Sequence, residues 1–190
     1  MLAAAVCLSL IFVFPIWKIT LEAPQYPEGL GMFIWINKIV GEESSTLQSV
    51  NIMNHYIGMK AIEPDAIPEF SFMPYIALAL AGLALILAVL KKRRLNLAWT
   101  ILLVIAAALA IYDFYLWEYD YGHNLDPSAA IKFEGMAYQP PLFGTKQILN
   151  FTAMSYPRLG AGFLGLSIIM GGAAVYFGFK QKKNRNTSSL

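Results

Sequence analysis

Residues 73–117 read MPYIALALAGLALILAVL-KKRR-LNLAWTILLVIAAALAIYDFYLW. Two apolar runs of span length flank four consecutive cations. About 20 apolar residues cross the hydrocarbon core of a bilayer, so Met73–Leu90 and Leu95–Trp117 read as transmembrane helices joined by a tight basic turn. Ala77, Ala81, Ala84 and Ala88 recur at helical spacing on the first of them, a small-residue stripe that lets a second helix come close. The far end of the second interleaves Asp113, Glu118 and Asp120 with Tyr112, Tyr115, Trp117, Tyr119 and Tyr121. Such aromatics fit the interfacial belt of a membrane protein.

Working outward, Leu159–Phe179 is a third apolar run of span length, closed by Lys180–Arg185, with Ala161, Gly165, Ile168 and Gly172 as its expected packing face. Leu2–Trp17 is apolar apart from Ser9. No basic residue precedes it and no clean small-x-small cleavage site follows, so it reads as a retained first helix rather than a signal peptide. The chain is 57% hydrophobic and 14% charged, too apolar for an ordinary soluble domain. The expected fold is therefore an all-α membrane protein, one domain over residues 1–190. It has four transmembrane helices, at about 2–17, 73–90, 95–117 and 159–179. Two sizeable outer loops, 18–72 and 118–158, hold short helices and extended segments.

Charge orients this scheme. Eight of the 14 Lys and Arg lie in Lys91–Arg94 and Lys180–Arg185, whereas all 12 acidic residues lie in the two loops or at their edge. The positive-inside rule then places the clusters and both termini in the cytoplasm, and the loops outside the cytoplasmic membrane, in the periplasm of a Gram-negative cell. A shift of 96 residues lays Leu2–Val13 on Ala98–Leu109 and Ile52–Asn54 on Ile148–Asn150, which raises an internal duplication beside chance.

In the first loop, Ala23-Pro-Gln-Tyr-Pro-Glu-Gly29 favours extended and turn conformations. Leu30–Val40 is apolar on both faces, as a strand buried on both sides would be. Ser44, Ser45 and Thr46 are candidate caps for a helix over Asn51-Ile-Met-Asn-His-Tyr-Ile-Gly-Met59, ended by Pro64 and Pro68. On that helix Asn51, His55 and Met59 fall on one face.

The loops hold both histidines and no cysteine; the single cysteine, Cys7, reads as a buried hydrophobe. His55, Met59, His123 and Met136, with Met53 as a spare, are soft ligands suited to Cu(I). Asn51 is placed to orient an imidazole through its second nitrogen. The alternative is a purely structural polar network, with methionines filling gaps. Asp113, near the outer end of an apolar helix, is a candidate functional carboxylate, or else pairs with Lys132 or Arg158. There is no phosphate loop, H-E-x-x-H or G-x-S-x-G, and no histidine lies within a span. Haem, flavin and nucleotide cofactors, nucleic-acid partners and enzymatic activity are accordingly not expected, although a quinol-linked redox subunit stays as a third reading.

A-P-Q-Y-P-E-G-L at Ala23–Leu30, N-x-M-N-H-Y-I-G-M at Asn51–Met59, and Y-G-H-N-L-D-P at Tyr121–Pro127 followed by G-M-x-Y-Q-P-P form one set. Together they resemble the NosB-like group of small polytopic membrane proteins associated with nitrous oxide reductase maturation genes. The resemblance covers nearly the whole chain. It implies a membrane accessory or assembly factor for an exported copper enzyme, beside a copper chaperone, and supplies no catalytic residues. The competing expectation is a structural subunit of a membrane complex without a metal site, partnered by lipid and by other membrane or periplasmic proteins.

Overall fold

Trp17 opens a β-strand where the first membrane helix was expected to end. The computed structural model describes residues 1–131, 135 and 137–187, and the side chains up to residue 181. Its elements are α1 (Leu2–Ser9, continued as a 3-10 turn over Leu10–Phe12), β1 (Trp17–Ala23), β2 (Tyr26–Ile34), β3 (Ile39–Gly41) and α2 (Thr46–Ile57). Then come α3 (Glu69–Leu90), α4 (Arg93–His123), β4 (Gly144–Ile148), β5 (Phe151–Pro157) and α5 (Leu159–Thr187). The protein is thus mixed α/β, with a five-stranded antiparallel sheet of order β3-β2-β1-β5-β4. The all-α expectation with four spans is overturned.

Two physical reasons account for the correction. First, α1 and its 3-10 turn cover Leu2–Phe12 only, roughly half the residues a hydrocarbon core requires. Pro15 then lacks the N–H that would continue the helix. Among the described residues three helices are long and apolar enough to span: Glu69–Leu90, Arg93–His123 and, within α5, Leu159–Gln181. Second, the two outer loops do not stand apart. Their strands pair across the whole chain, with Trp17 opposite Pro157, Ile19 opposite Ser155 and Leu21 opposite Ala153.

Locally the strands follow their turns. Pro24 and Gln25 form the turn between β1 and β2, as their composition suggests. The apolar run from Leu30 to Val40 is two strands, since the backbone N–H of Trp35 donates to Lys38 O (2.8 Å) and closes a hairpin. The β-strand period then sends Ile19, Leu21, Leu30, Met32 and Ala153 to one face, where they pack with Val50 and Ile57 of α2 and with Tyr138. The duplication is also set aside: Ile52–Asn54 is helical in α2, whereas Ile148–Asn150 is the end and turn of a β-hairpin.

Below the sheet, α1 packs into the groove between α3 and α5. Ala4, Ala5, Leu8 and Ile11 meet Ala77, Leu80, Ala81, Ala84 and Leu87, so the stripe expected on α3 is its contact face. On α5 Ile168 of the expected face packs against this core, as does Leu164, but the glycine contacts are rotated by about one residue from expectation. A Cβ at Gly165 or Gly172 would meet nothing, but one at Gly160 would lie 2.7 Å from Pro15 O, and one at Gly171 2.7 Å from Thr100 Oγ1. Ser167 lies between them and donates to Ala4 O at 2.8 Å.

Candidate functional site

The Asn51–Met59 stretch sits on the sheet's inner face, and its helix stops sooner than expected. α2 ends at Ile57; Gly58 takes φ +78°, where a side chain is strained, and caps it. A Cβ there would lie 2.9 Å from Asp126 O, because Gly58 O accepts from the Asp126 backbone N–H at 2.8 Å. Met59 has therefore left the helix and does not stand one turn above His55.

The two asparagines are occupied with backbone. Asn51 donates through Nδ2 to Ile62 O (3.1 Å), and its Oδ1 accepts from the Ile62 N–H (2.7 Å). Asn54, buried, donates to Lys60 O at 3.1 Å. Both clamp the returning chain over residues 60–62 against α2. Neither orients an imidazole, because each amide is spent on satisfying chain that would otherwise be buried without partners.

The predicted ligands have different surroundings. His55 is exposed, beside Tyr56 (ring centroids 6.2 Å apart), over a shallow depression lined by Gln48, Asn51 and Ile52. His123 is exposed at the end of α4. Its ring stacks on Tyr119 at 3.9 Å, and Nδ1 lies 3.0 Å from Tyr119 O. Met53 and Met59 pack together with the apolar core of the sheet domain. Met136 and Lys132 lie outside the described residues. Among the described residues no group of three or more His, Cys, Asp and Glu could hold a metal ion. The expected Cu(I) donors thus comprise an exposed imidazole, a stacked imidazole and two thioethers beside the apolar core, with Met136 outside the described residues.

That thioether pair marks the feature that residue-by-residue reading passed over. Met53 and Met59 line an open cavity of about 730 Å³ between the distal end of β1, α2 and the chain around Tyr138. Leu21, Ala23, Ile57, Ile131, Leu149 and Phe151 supply its apolar wall, and Gln25, Asn54 and Asn150 its polar groups. Among the described residues no charged side chain lines it. Its volume and lining suit an uncharged, mainly apolar guest.

The C-terminal end of α4 ties the chain beside the cavity to the helix bundle. The helix has 31 residues, about 46 Å at 1.5 Å each, so its last turns rise beyond a hydrocarbon core of about 30 Å. Trp117 lies tilted against Tyr121 (ring centroids 4.3 Å apart) and Phe114 meets Trp17 edge to face (5.7 Å). Tyr121 donates to Ala61 O at 3.0 Å, and Lys60 pairs with Asp120 at 2.6 Å. Gly122 lets the chain at Gln139 lie against the helix, where a Cβ would come 2.3 Å from Gln139 Cα. Glu118, one turn before Gly122, is fully buried, and neither carboxyl oxygen has a hydrogen-bond partner among the described residues. The sequence showed it only as one of several surface acids; its i, i+4 relation to a glycine was the available signal that it faces inward. Asp113 is half-buried near Glu69 and forms no salt bridge among the described residues.

Compared with known proteins, the chain matches no family model, no curated protein and no solved structure.

Proposed function

We propose that the protein is a membrane-anchored accessory or assembly subunit, without a resident metal, whose sheet domain engages an exported protein through its apolar cavity. The observation that carries this reading is the cavity itself, open on the sheet domain and lined, among the described residues, by uncharged ones. It lies at the end of β1 away from Trp17, the strand end that adjoins the helices, so it faces an aqueous partner rather than lipid. Amide side chains at Gln25 and Asn150 can meet the backbone of a segment whose apolar side chains fill the pocket. The basic clusters at the opposite ends of α3–α4 and α5 support a sheet domain outside the cytoplasmic membrane. The NosB-like resemblance agrees with an accessory role.

The test is photocrosslinking in native membranes, with benzophenylalanine at Asn150 and a control at Thr145 on the far strand. The expected result is one discrete exported protein captured from Asn150 and not from Thr145, and lost when Ala23→Phe fills the cavity. Equal capture from both positions, or capture that survives Ala23→Phe, would refute the reading.

One observation favours a copper-handling variant of this role: Met53 and Met59 share the cavity wall, and paired thioethers suit Cu(I). Anaerobic titration against a Cu(I) chelator decides it. The metal-free reading expects no binding that depends on these residues; the copper reading expects stoichiometric binding abolished by Met53→Leu with Met59→Leu.

A further inference from the structure

The sheet meets the membrane along one edge. Arg158 immediately precedes the span that begins at Leu159, and its backbone N–H donates to Ile16 O at 2.9 Å. The β2–β3 hairpin reaches the same level, since Ile16 donates to Ile34 O (2.8 Å) and Ile36 packs against the helix-bundle core. Tyr156 and Phe143, exposed and 5.5 Å apart edge to face, lie at this end too. The sheet therefore stands at headgroup depth here, where aromatic residues anchor proteins.

Three of the outer cations gather at this edge. Lys18 Nζ and Arg158 Cζ both lie over the ring of Phe33, at 5.1 and 5.9 Å, and Lys38 Nζ lies over Trp35 at 5.2 Å. Lys18 is paired with Glu42 at 2.9 Å. Arg158 and Lys38 are exposed and have no carboxylate partner among the described residues. Two unneutralised cations, held on aromatic faces beside the start of a span, form a receptor for an anion at membrane depth.

We propose that Arg158 and Lys38, on the membrane-facing edge of the sheet, hold the phosphate of an anionic phospholipid in the leaflet on the sheet side. The inference rests on the three helices spanning a bilayer and is independent of what fills the apolar cavity. The occupant is lipid rather than a soluble anion because the hairpin and Leu159 place the cations against the bilayer.

Benzophenylalanine at Asn37, on the exposed hairpin tip between Trp35 and Lys38, reads the site. The full chain is reconstituted in vesicles of equal parts phosphatidylcholine and phosphatidylglycerol, irradiated, and its lipid adducts are weighed. Phosphatidylglycerol adducts should exceed phosphatidylcholine adducts by about fivefold or more, the preference expected from a single interfacial cation. Arg158→Gln with Lys38→Gln should bring the two to parity, and Arg158→Lys with Lys38→Arg should keep the preference. Equal yields in the wild-type chain would overturn the proposal whether or not the variants fold. A preference unchanged in the double Gln variant would overturn it too, and a preference erased by millimolar inorganic phosphate would assign the site to a soluble anion instead.

Discussion

The helix bundle is held by what its residues lack, the sheet domain by what its residues carry. In the bundle, Ala4 and Ala5 meet Ala77, Ala81 and Ala84, Gly160 lies on the carbonyl of Pro15, and Gly171 lies against Trp99 and Thr100. In a bilayer, which α3, α4 and α5 are long and apolar enough to cross, lipid offers no hydrophobic drive between helices, so close van der Waals contact between small residues would have to hold them. In the domain the core is filled by Tyr138, Met32, Ile19, Leu21 and Val50, with Asn51 and Asn54 binding loop backbone. There, burial from water supplies the stabilisation. A bundle of this kind fails by overpacking and a domain of this kind by truncation, while the seam between them, at Gly122, fails by either.

The seam should be the most sensitive point. Gly122→Val drives a side chain into the backbone of Gln139, which can only be relieved by lifting residues 137–141 off α4. The expected loss is about 3 kcal/mol or more, read as protease cleavage near Tyr138 in detergent with the helices intact. Next comes a matched pair in the bundle. Gly171→Leu should lose about 2 kcal/mol or more through overpacking against Thr100, whereas Gly165→Leu, where the space is open, should stay within about 0.5 kcal/mol. Thermal unfolding in one detergent compares them. If Gly165→Leu were the worse, the packing face assigned to α5 would be wrong.

In the domain, Asn51→Ala removes both hydrogen bonds to Ile62 and should lose about 2 kcal/mol, seen as faster amide exchange over residues 60–62. Glu118→Met should go the other way. An unpaired carboxyl sealed in protein is costly, and an apolar side chain of similar length should be neutral or raise stability by about 1 kcal/mol. A large loss would show that Glu118 has a partner in the assembled protein. Smallest is Lys60→Ala: its pair with Asp120 is half-exposed and should be worth under about 1 kcal/mol, falling further with salt.

The same contrast explains what could be read from the residues. Spans α3 and α4, the turn between them and the Ala77–Ala81–Ala84 stripe are local and periodic, and they stand in the chain much as the residues suggest. On α5 ten of the 21 residues from Leu159 to Phe179 are Gly, Ala or Ser and they fall on several faces, so composition could not choose between the Gly165 face and the Gly171 face. The pairing of Trp17 with Pro157 was not legible at all, because no local pattern specifies a partner so distant in sequence. Leu30–Val40 misled for a related reason: an apolar run on both faces looks alike whether it is one strand or a hairpin turned at Trp35–Lys38. At the candidate site, Gly58 was visible as the breaker that removes Met59 from the helix. The cavity between Met53, Leu21 and Leu149 needed the sheet, since its walls come from four separate parts of the chain.

The sheet joining the two outer segments is the central claim, and a disulfide tests it most directly. Thr20 and Met154 are Cα partners in the β1–β5 ladder, and antiparallel partners lie at about 4.5–5.5 Å, within disulfide reach. In a Cys7→Ala background, Thr20→Cys with Met154→Cys should oxidise readily and resist proteolytic separation of the two segments until reduced. Moving the second cysteine by one residue, to Ser155→Cys, turns it to the opposite face and should give little crosslink. Equal crosslinking of both pairs, or none from Thr20 with Met154, would contradict the sheet and the account built on it.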